Sequence, residues 1–464
     1  MTLFFFGVVL PLLTGFLVVR AIAPVLRASL QVCLAAGMGI GIISCCFFLS
    51  LRTEVPAIFL EVALVAVVLA TGFRRLAPRA RAMRPNFPPN ILDWILGVAF
   101  GAVILCAMSG FIKITRSAPH GEWDAWAIWN LHARFLMTAY WRDLFSSTIL
   151  WTHPDYPLLL PGFIASVWRA THERELIVSA ATAFVFTFGT IGVLVGSLAA
   201  LKSRAQGLLA GMLLAGTPFF IAHGAAQYAD VPVSFFILAT LALLALQDRY
   251  WPAEKCLSVL AGLSAGMAAW TKNEGLLLVA VVVAVHLIVV ARSSGVRPLL
   301  RQTGWFAAGL APVMAIVLYC RHTLATPNTN LSGHGQQSLT ALATDPDRWG
   351  TMIKALFEYT ATFGGLYVSV CVVLGIYLLC VGLDYSQDRA GVQRTAGTLF
   401  LMIAGYCSVC VITPVNITWE ISTALNRLIL QLWPATLFLA FLAAPIPDAQ
   451  LSSLLPSFRL RRQE

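Results

Sequence analysis

The chain has 464 residues, of which 59% are hydrophobic and only 11% charged, and its mean hydropathy is +0.80. Soluble domains carry about 25% charged residues, so this composition excludes a soluble globular fold and indicates a polytopic membrane protein. The formal charge of +10 does not point to nucleic acid, because the basic residues sit in short clusters between apolar runs, where they act as topology determinants.

The apolar runs are continuous rather than alternating, which selects helices over a barrel. A helix needs about 20 apolar residues to cross the hydrocarbon core. On that basis the sequence predicts an all-α polytopic protein of about thirteen transmembrane helices, near 2–19, 29–51, 55–73, 92–114, 176–200, 206–223, 230–247, 256–271, 275–291, 303–320, 355–382, 396–413 and 424–444. No basic segment precedes Leu3, so the first run reads as a retained span rather than a cleaved signal. The expected organisation is a three-helix N-terminal membrane unit (1–73), a basic, proline-rich cytoplasmic linker (74–91) and a core over 92–320 with an outer loop at 115–175. A second outer loop (321–354) and C-terminal spans with a basic tail (355–464) complete it.

Orientation follows from the basic residues. With the N-terminus outside, every short cytoplasmic connection holds at least two of them, such as Arg74, Arg75 and Arg79, or Lys202 and Arg204, or Arg389 and Arg394. The C-terminus is then cytoplasmic and the 115–175 loop extracytoplasmic, in an arrangement suited to a bacterial inner membrane. The ten cysteines form no framework, and Cys407-x-x-Cys410 lies within a span without a second pair.

The 115–175 loop is the long aqueous segment of the first half. It contains Gly121-Glu122-Trp123-Asp124-Ala125-Trp126-Ala127-Ile128-Trp129-Asn130 and, farther on, His153-Pro154-Asp155-Tyr156-Pro157. Tryptophans every three residues suit a helix lying flat at the headgroup level, and the proline-broken run 156–170 reads as a second interfacial element. An aromatic belt explains the tryptophans but not Glu122 and Asp124 at the start of the same stretch.

Three further clusters fall at the same predicted face: Asp230 in Tyr228-Ala229-Asp230-Val231-Pro232, the tight turn Thr271-Lys272-Asn273-Glu274-Gly275, and Asn426-Arg427 at the start of the last helix. Each has a purely structural reading. Asp124 and Asp230 could cap helices, Lys272 and Glu274 could anchor a turn, Arg427 could snorkel, and the His153 segment could be turn chemistry. Ionisable residues at membrane depth are nonetheless functional candidates by default, and four groups at one face reinforce one another.

An acidic outer loop after a span, a His-Pro-x-Tyr-Pro-Leu segment and a Tyr-Ala-Asp-Val-Pro turn together resemble the GT-C superfamily of membrane glycosyltransferases. Within it, the chain is similar to the branch with protein O-mannosyltransferases and the lipid A aminoarabinose transferase. The resemblance covers roughly 92–320, and Arg427-Leu-Ile-Leu-Gln-Leu-Trp-Pro extends it to the last helix. Two features depart from it: spans 1–73 are extra, and the order here is Glu122-Trp123-Asp124 where many members have adjacent acids.

The resemblance implies interfacial jacket helices in the first large outer loop, a sugar donor on a polyprenyl phosphate, and a lipid, glycan or protein acceptor. The expected activity is inverting transfer to an acceptor hydroxyl at the outer face. Asp124, or its neighbour Glu122, would be the base. Lys272 and Arg427 would hold the donor phosphate, with His153, Asp230, Glu274 and Tyr228 binding phosphate or sugar. A phosphate leaves readily without a metal, so no cofactor is required, although Asp124 and Asp155 leave room for a divalent cation. The competing readings are a polymerase or ligase for polyprenyl-linked glycans and a secondary transporter, whose polar residues would gather at mid-membrane.

Overall fold

The computed structural model describes residues 2–73, 90–250, 255–294, 296–327, 338–365 and 367–446. The basic linker at 74–89, the Asn328–Gly335 part of the second outer loop and the basic tail beyond 446 lie outside the described residues. Among the described residues the protein is helical throughout, with no strand.

Nine of these helices are long and apolar enough to cross a membrane: Thr2–Ile22, Ala28–Thr53, Ile91–Ser117, Ile177–Leu201, Asp230–Tyr250, Glu274–Arg292, Leu299–Thr323, Arg389–Ile412 and Ile417–Ala443. A tenth span would be the pair Arg204–Ala215 and Pro218–Ala225, which meet at 64°. The break falls where Pro218 opens the second helix, since proline has no N–H to continue the first. The expected spans 55–73 and 256–271 are present as the shorter helices Ala57–Phe73 and Cys256–Thr271. The expected span 355–382 is divided: Pro346–Thr362 and Val370–Val381 are separate helices, with Gly364 and Gly365 at positive φ between them.

The hub is Asp230–Tyr250, whose whole spanning window is buried. Val231, Phe235, Phe236, Leu238, Leu241 and Leu244 cover all its sides, the pattern of a helix enclosed by others. It packs against Ala28–Thr53, Ile177–Leu201, Cys256–Thr271, Arg389–Ile412 and the last helix. Its hydroxyls turn back to the helix itself, as with Thr240 Oγ1 donating to the Phe236 carbonyl at 2.8 Å. Ile91–Ser117 is the opposite case. Its exposed face carries Ile91, Trp94, Val98 and Leu105, as a lipid-facing helix requires.

Within the expected N-terminal unit, Ala28–Thr53 packs against later helices. Ala28–Thr53 runs through the core, where Ser44 Oγ donates to the Leu158 carbonyl (3.0 Å) and accepts from Trp270 Nε1 (3.1 Å). The same helix covers Leu159–Thr171, which is buried on nearly every side from Leu159 to Trp168. The 156–170 run, expected as an interfacial element, is thus a helix packed against the bundle. Its cover comes from a helix more than a hundred residues earlier.

The two ends of the bundle differ in chemistry. At one end Lys202 and Arg249 lie 3.6 and 3.7 Å from Asp388, drawing three connections together. Arg394, expected in a connection there, lies inside Arg389–Ile412, buried and paired with Asp248. The opposite end carries the 118–176 loop.

The first two helices approach closely enough that a Cβ on Gly39 would lie 1.7 Å from the Pro11 carbonyl oxygen. Gly39→Val is expected to destabilise the protein by about 1–3 kcal/mol, read as a lower unfolding temperature in detergent. An unchanged temperature would show that the pair does not pack at that distance.

Candidate functional site

Asp230 is the centre of the site. It opens the hub helix and is fully buried, so its charge must be met by protein donors rather than water. Its Oδ1 accepts from Lys272 Nζ at 3.0 Å and from Gln431 Nε2 at 2.7 Å, and its Oδ2 accepts from Arg427 Nε at 3.0 Å. These donors come from the turn after Cys256–Thr271 and from the last helix. One carboxylate thus ties three elements together.

Two more acids flank it. Glu274 lies 2.7 Å from Lys272 Nζ and accepts from Gln431 Nε2 at 3.2 Å. Asp124 accepts from Arg427 Nη2, a nitrogen that also lies 3.0 Å from Asp230 Oδ2. The Tyr228 ring packs under that guanidinium at 4.7 Å, a cation–π contact. Asp124, Asp230 and Glu274 against Lys272 and Arg427 leave one negative charge over, with the cations shared between acids. Burial by itself lowers the pKa of Lys272, but Asp230 and Glu274 outweigh it and raise the value, so the ammonium stays charged.

The structural readings of these residues do not account for the geometry. Asp124 makes no capping hydrogen bond from its side chain. Arg427 turns inward onto two carboxylates instead of reaching toward a surface. Glu122 is exposed and meets the rest of the loop through its backbone, its N–H donating to the Ala226 carbonyl at 3.1 Å. Of the acids Glu122 and Asp124, only Asp124 enters the cluster.

The loop reaches this position through two local devices. Gly121 has φ +73°, and a Cβ there would lie 2.6 Å from the Ala226 carbonyl oxygen, so the close approach needs glycine. After Asp124 the chain forms a π-helical turn, Ala125–Trp129, and not the regular helix expected from the tryptophan spacing; an α-helix, Asn130–Leu136, follows. The wider turn leaves Trp123 and Trp126 exposed and buries Trp129. Of the other two π-turns among the described residues, Phe5–Val9 lies in the first span and Ile421–Leu425 precedes Arg427. Single π-turns recur at functional sites, and here one adjoins each partner of the Asp124–Arg427 pair.

The His153 segment forms a layered stack behind the cluster. Tyr156 lies face to face with Trp129 at 5.4 Å and with His153 at 4.5 Å. His153 sits at φ +53°, a left-handed conformation costly for a non-glycine residue. Burial lowers the pKa of its imidazole, although the Asp155 and Asp124 carboxylates oppose the shift. Asp155 is engaged by the turn that carries Lys272. It accepts from Asn273 Nδ2 at 2.6 Å, and Asn273 Oδ1 accepts from Arg321 at 2.8 Å. Burial raises the Asp155 pKa against the pull of His153 and Asn273. Among the described residues no group of three His, Cys, Asp or Glu is placed to hold a metal ion.

Gln431, Asn273, Tyr156 and Tyr406 are members that sequence reasoning missed. Gln431 carried a signal, four residues after Arg427 and hence on the same helix face. Its amide oxygen accepts from Tyr406 at 2.7 Å, which sets the amide orientation toward Asp230 and Glu274. Tyr156 stood in the His-Pro-x-Tyr-Pro-Leu segment without a role of its own, and nothing local marks Tyr406 out from other buried aromatics.

Asp230→Asn removes the charge on which both cations depend and should cost about 3–5 kcal/mol of stability. Glu274→Gln, at the wetter edge, should cost far less. Equal unfolding temperatures for the two variants would contradict the central place of Asp230. A second expectation concerns His132, a fully buried residue of the Asn130–Leu136 helix whose pKa burial lowers to about 4, with His153 adding to the shift. The unfolded chain takes up this proton below about pH 6.5 and the folded one only near 4. Stability from this group is therefore complete above 6.5 and falls as pH drops through that window, by up to about 3 kcal/mol. His132→Phe should flatten the acid limb of the stability profile between pH 6.5 and 4.

Compared with known protein families, characterised proteins and solved structures, the chain has no match. What it does has to be read from the cluster itself.

Proposed function

We propose that the protein is a membrane glycosyltransferase of the GT-C type. It would move a sugar from a polyprenyl phosphate to an acceptor hydroxyl at the outer face, with inversion. The observation that carries this reading is the Asp124–Arg427–Asp230 arrangement: one guanidinium bridges a fully buried carboxylate and a second carboxylate from the acidic loop.

The chemistry follows from the unequal burial of the two partners. The Asp230 side chain is inaccessible and locked by Lys272 and Gln431, whereas those of Asp124 and Arg427 keep 11% and 22% of their surface. An incoming donor phosphate competes with Asp124 for Nη2 of Arg427, while Nε stays on Asp230. Arg427 exchanges Asp124 for phosphate, and Asp124 is released with an oxygen free to accept a proton. The acceptor O–H gives its proton to Asp124, its oxygen bonds the anomeric carbon, and the bond from that carbon to the phosphate oxygen breaks. The polyprenyl phosphate leaves with its charge on Arg427, a stabilisation that grows as the bond breaks.

This assigns Lys272 differently from Arg427. Its ammonium is enclosed between Asp230 and Glu274, so it acts as a positioning residue that holds Asp230 ionised. Tyr228, Glu274 and His153 are left for the sugar hydroxyls and the walls of the site. No metal takes part in this sequence of steps.

In membranes supplied with a panel of radiolabelled polyprenyl-phosphate sugars, the wild type should transfer one of them. Asp124→Asn should reduce turnover by about 10²–10⁴-fold with donor affinity retained, and Arg427→Gln should weaken donor binding. Full turnover in Asp124→Asn would remove it as the base. Chain-length ladders in place of single transfer would favour a polymerase.

A further inference from the structure

On the reverse side of the Asp124 turn lies a cavity of about 690 Å³ that the charged cluster does not use. Asp124 points into the cluster, while Trp126, two residues on, lines the cavity together with Trp151, His120, Asn130 and Arg134. The cavity is bounded by Ser117, the last residue of Ile91–Ser117, and by Leu176, just before Ile177–Leu201. It therefore opens at the ends of two spanning helices, the level at which lipid headgroups sit.

Its chemistry is that of an anion site with an amphipathic rim. Arg134 and His120 are its ionisable lining residues, and no carboxylate lines it. Among the described residues Arg134 forms no ion pair, in contrast to Arg427 and Lys272, whose charges are met by carboxylates. Asn130 Oδ1 accepts from Ser179 Oγ at 2.6 Å, which leaves its –NH₂ as a donor beside the cavity. The indoles of Trp126 and Trp151 are 44% and 54% exposed, and tryptophan at this level pairs an apolar ring with a polar edge. The apolar exposed face of Ile91–Ser117 leads up to the opening and offers a path for acyl chains. A volume of this size suits a headgroup with the first part of its chains.

We propose that this cavity binds the headgroup of an anionic glycerophospholipid. Arg134 takes the phosphate, Asn130 and His120 donate to headgroup oxygens, and the two indoles flank the glycerol and first methylenes. Occupancy bears on the charged cluster, because the cavity wall and the Asp124 turn are one short segment. That segment is held to the turn before Asp230 by Glu122 N–H to the Ala226 carbonyl (3.1 Å) and Gln227 Nε2 to the Pro119 carbonyl (3.2 Å). The site is separate from the glycosyl-transfer reading: it can fail while transfer stands, and it remains if transfer is disproved.

The test uses the full chain purified in detergent, with phosphatidylglycerol, phosphatidylcholine or inorganic phosphate titrated and bound species counted by native mass spectrometry. The wild type should bind phosphatidylglycerol about tenfold more tightly than phosphatidylcholine. Arg134→Gln should lose most of that preference, about one charge-assisted contact or a factor of ten. Trp151→Ala, at an exposed position, should weaken phosphatidylglycerol binding several-fold without changing the unfolding temperature. Equal phosphatidylglycerol affinity in the wild type and Arg134→Gln would overturn the proposal, because other basic surfaces would then account for binding. Inorganic phosphate competing as well as the lipid would overturn it too, leaving a plain ion site.

Discussion

The ionised carboxylate of Asp230, buried away from solvent, is the constraint on which one end of this protein depends. Moving a carboxylate out of water costs several kcal/mol even after relaxation, and the cost is met here by Lys272, Gln431 and Arg427, delivered from two other elements. Those donors are not free to be elsewhere. The turn between Cys256–Thr271 and Glu274–Ser294 must be tight enough to present Lys272, and the last helix must be rotated so that Arg427 and Gln431, one turn apart, both face the hub. The register of three helices is thus coupled to one charge.

The same arrangement places the acidic loop. Asp230 accepts from Arg427 Nε and lies 3.0 Å from Nη2, and the planar fork fixes the direction in which Nη2 can meet a second acceptor. Asp124 is that acceptor. The loop that carries Asp124 is pinned at Gly121 and Glu122 to the turn that leads into Asp230, so both carboxylates reach the guanidinium from two segments joined by a backbone hydrogen bond. Burial is graded across the bridge, closed at Asp230 and more accessible at Asp124, and that gradient is what allows a competing anion to act on one partner without releasing the other.

The far end of the bundle solves a similar problem for a structural purpose. Arg394 and Asp248 pair between two core helices, and Asp388 sits between Lys202 and Arg249. These pairs draw adjacent connections together but do not gather acids around a shared cation. The difference is one of arrangement: paired charges hold elements in place, whereas a guanidinium divided between two carboxylates of unequal exposure has a partner it can exchange.

Much of this was legible in the chain itself. Hydropathy identified the helices because the cost of unpaired backbone in lipid leaves continuous apolar runs no other structure, and ionisable residues marked the site because they are rare and expensive in such a setting. Asp124, Asp230, Lys272, Glu274 and Arg427 were all visible on that ground, as was their shared end. Apart from Lys272 and Glu274, neighbours in one turn, their pairing was not, because the other partners lie 42 to 303 residues apart and no local pattern encodes which carboxylate meets which cation. Tertiary structure alone decided that Glu122 stays outside, that Asp155 turns to Asn273, that the run after Tyr156 is covered by Ala28–Thr53, and that 355–382 is two helices. Each of these outcomes turns on which surface a distant segment covers or on a local backbone break. The sequence thus determined which residues had to find partners, and the packing of the helices determined which partners they found.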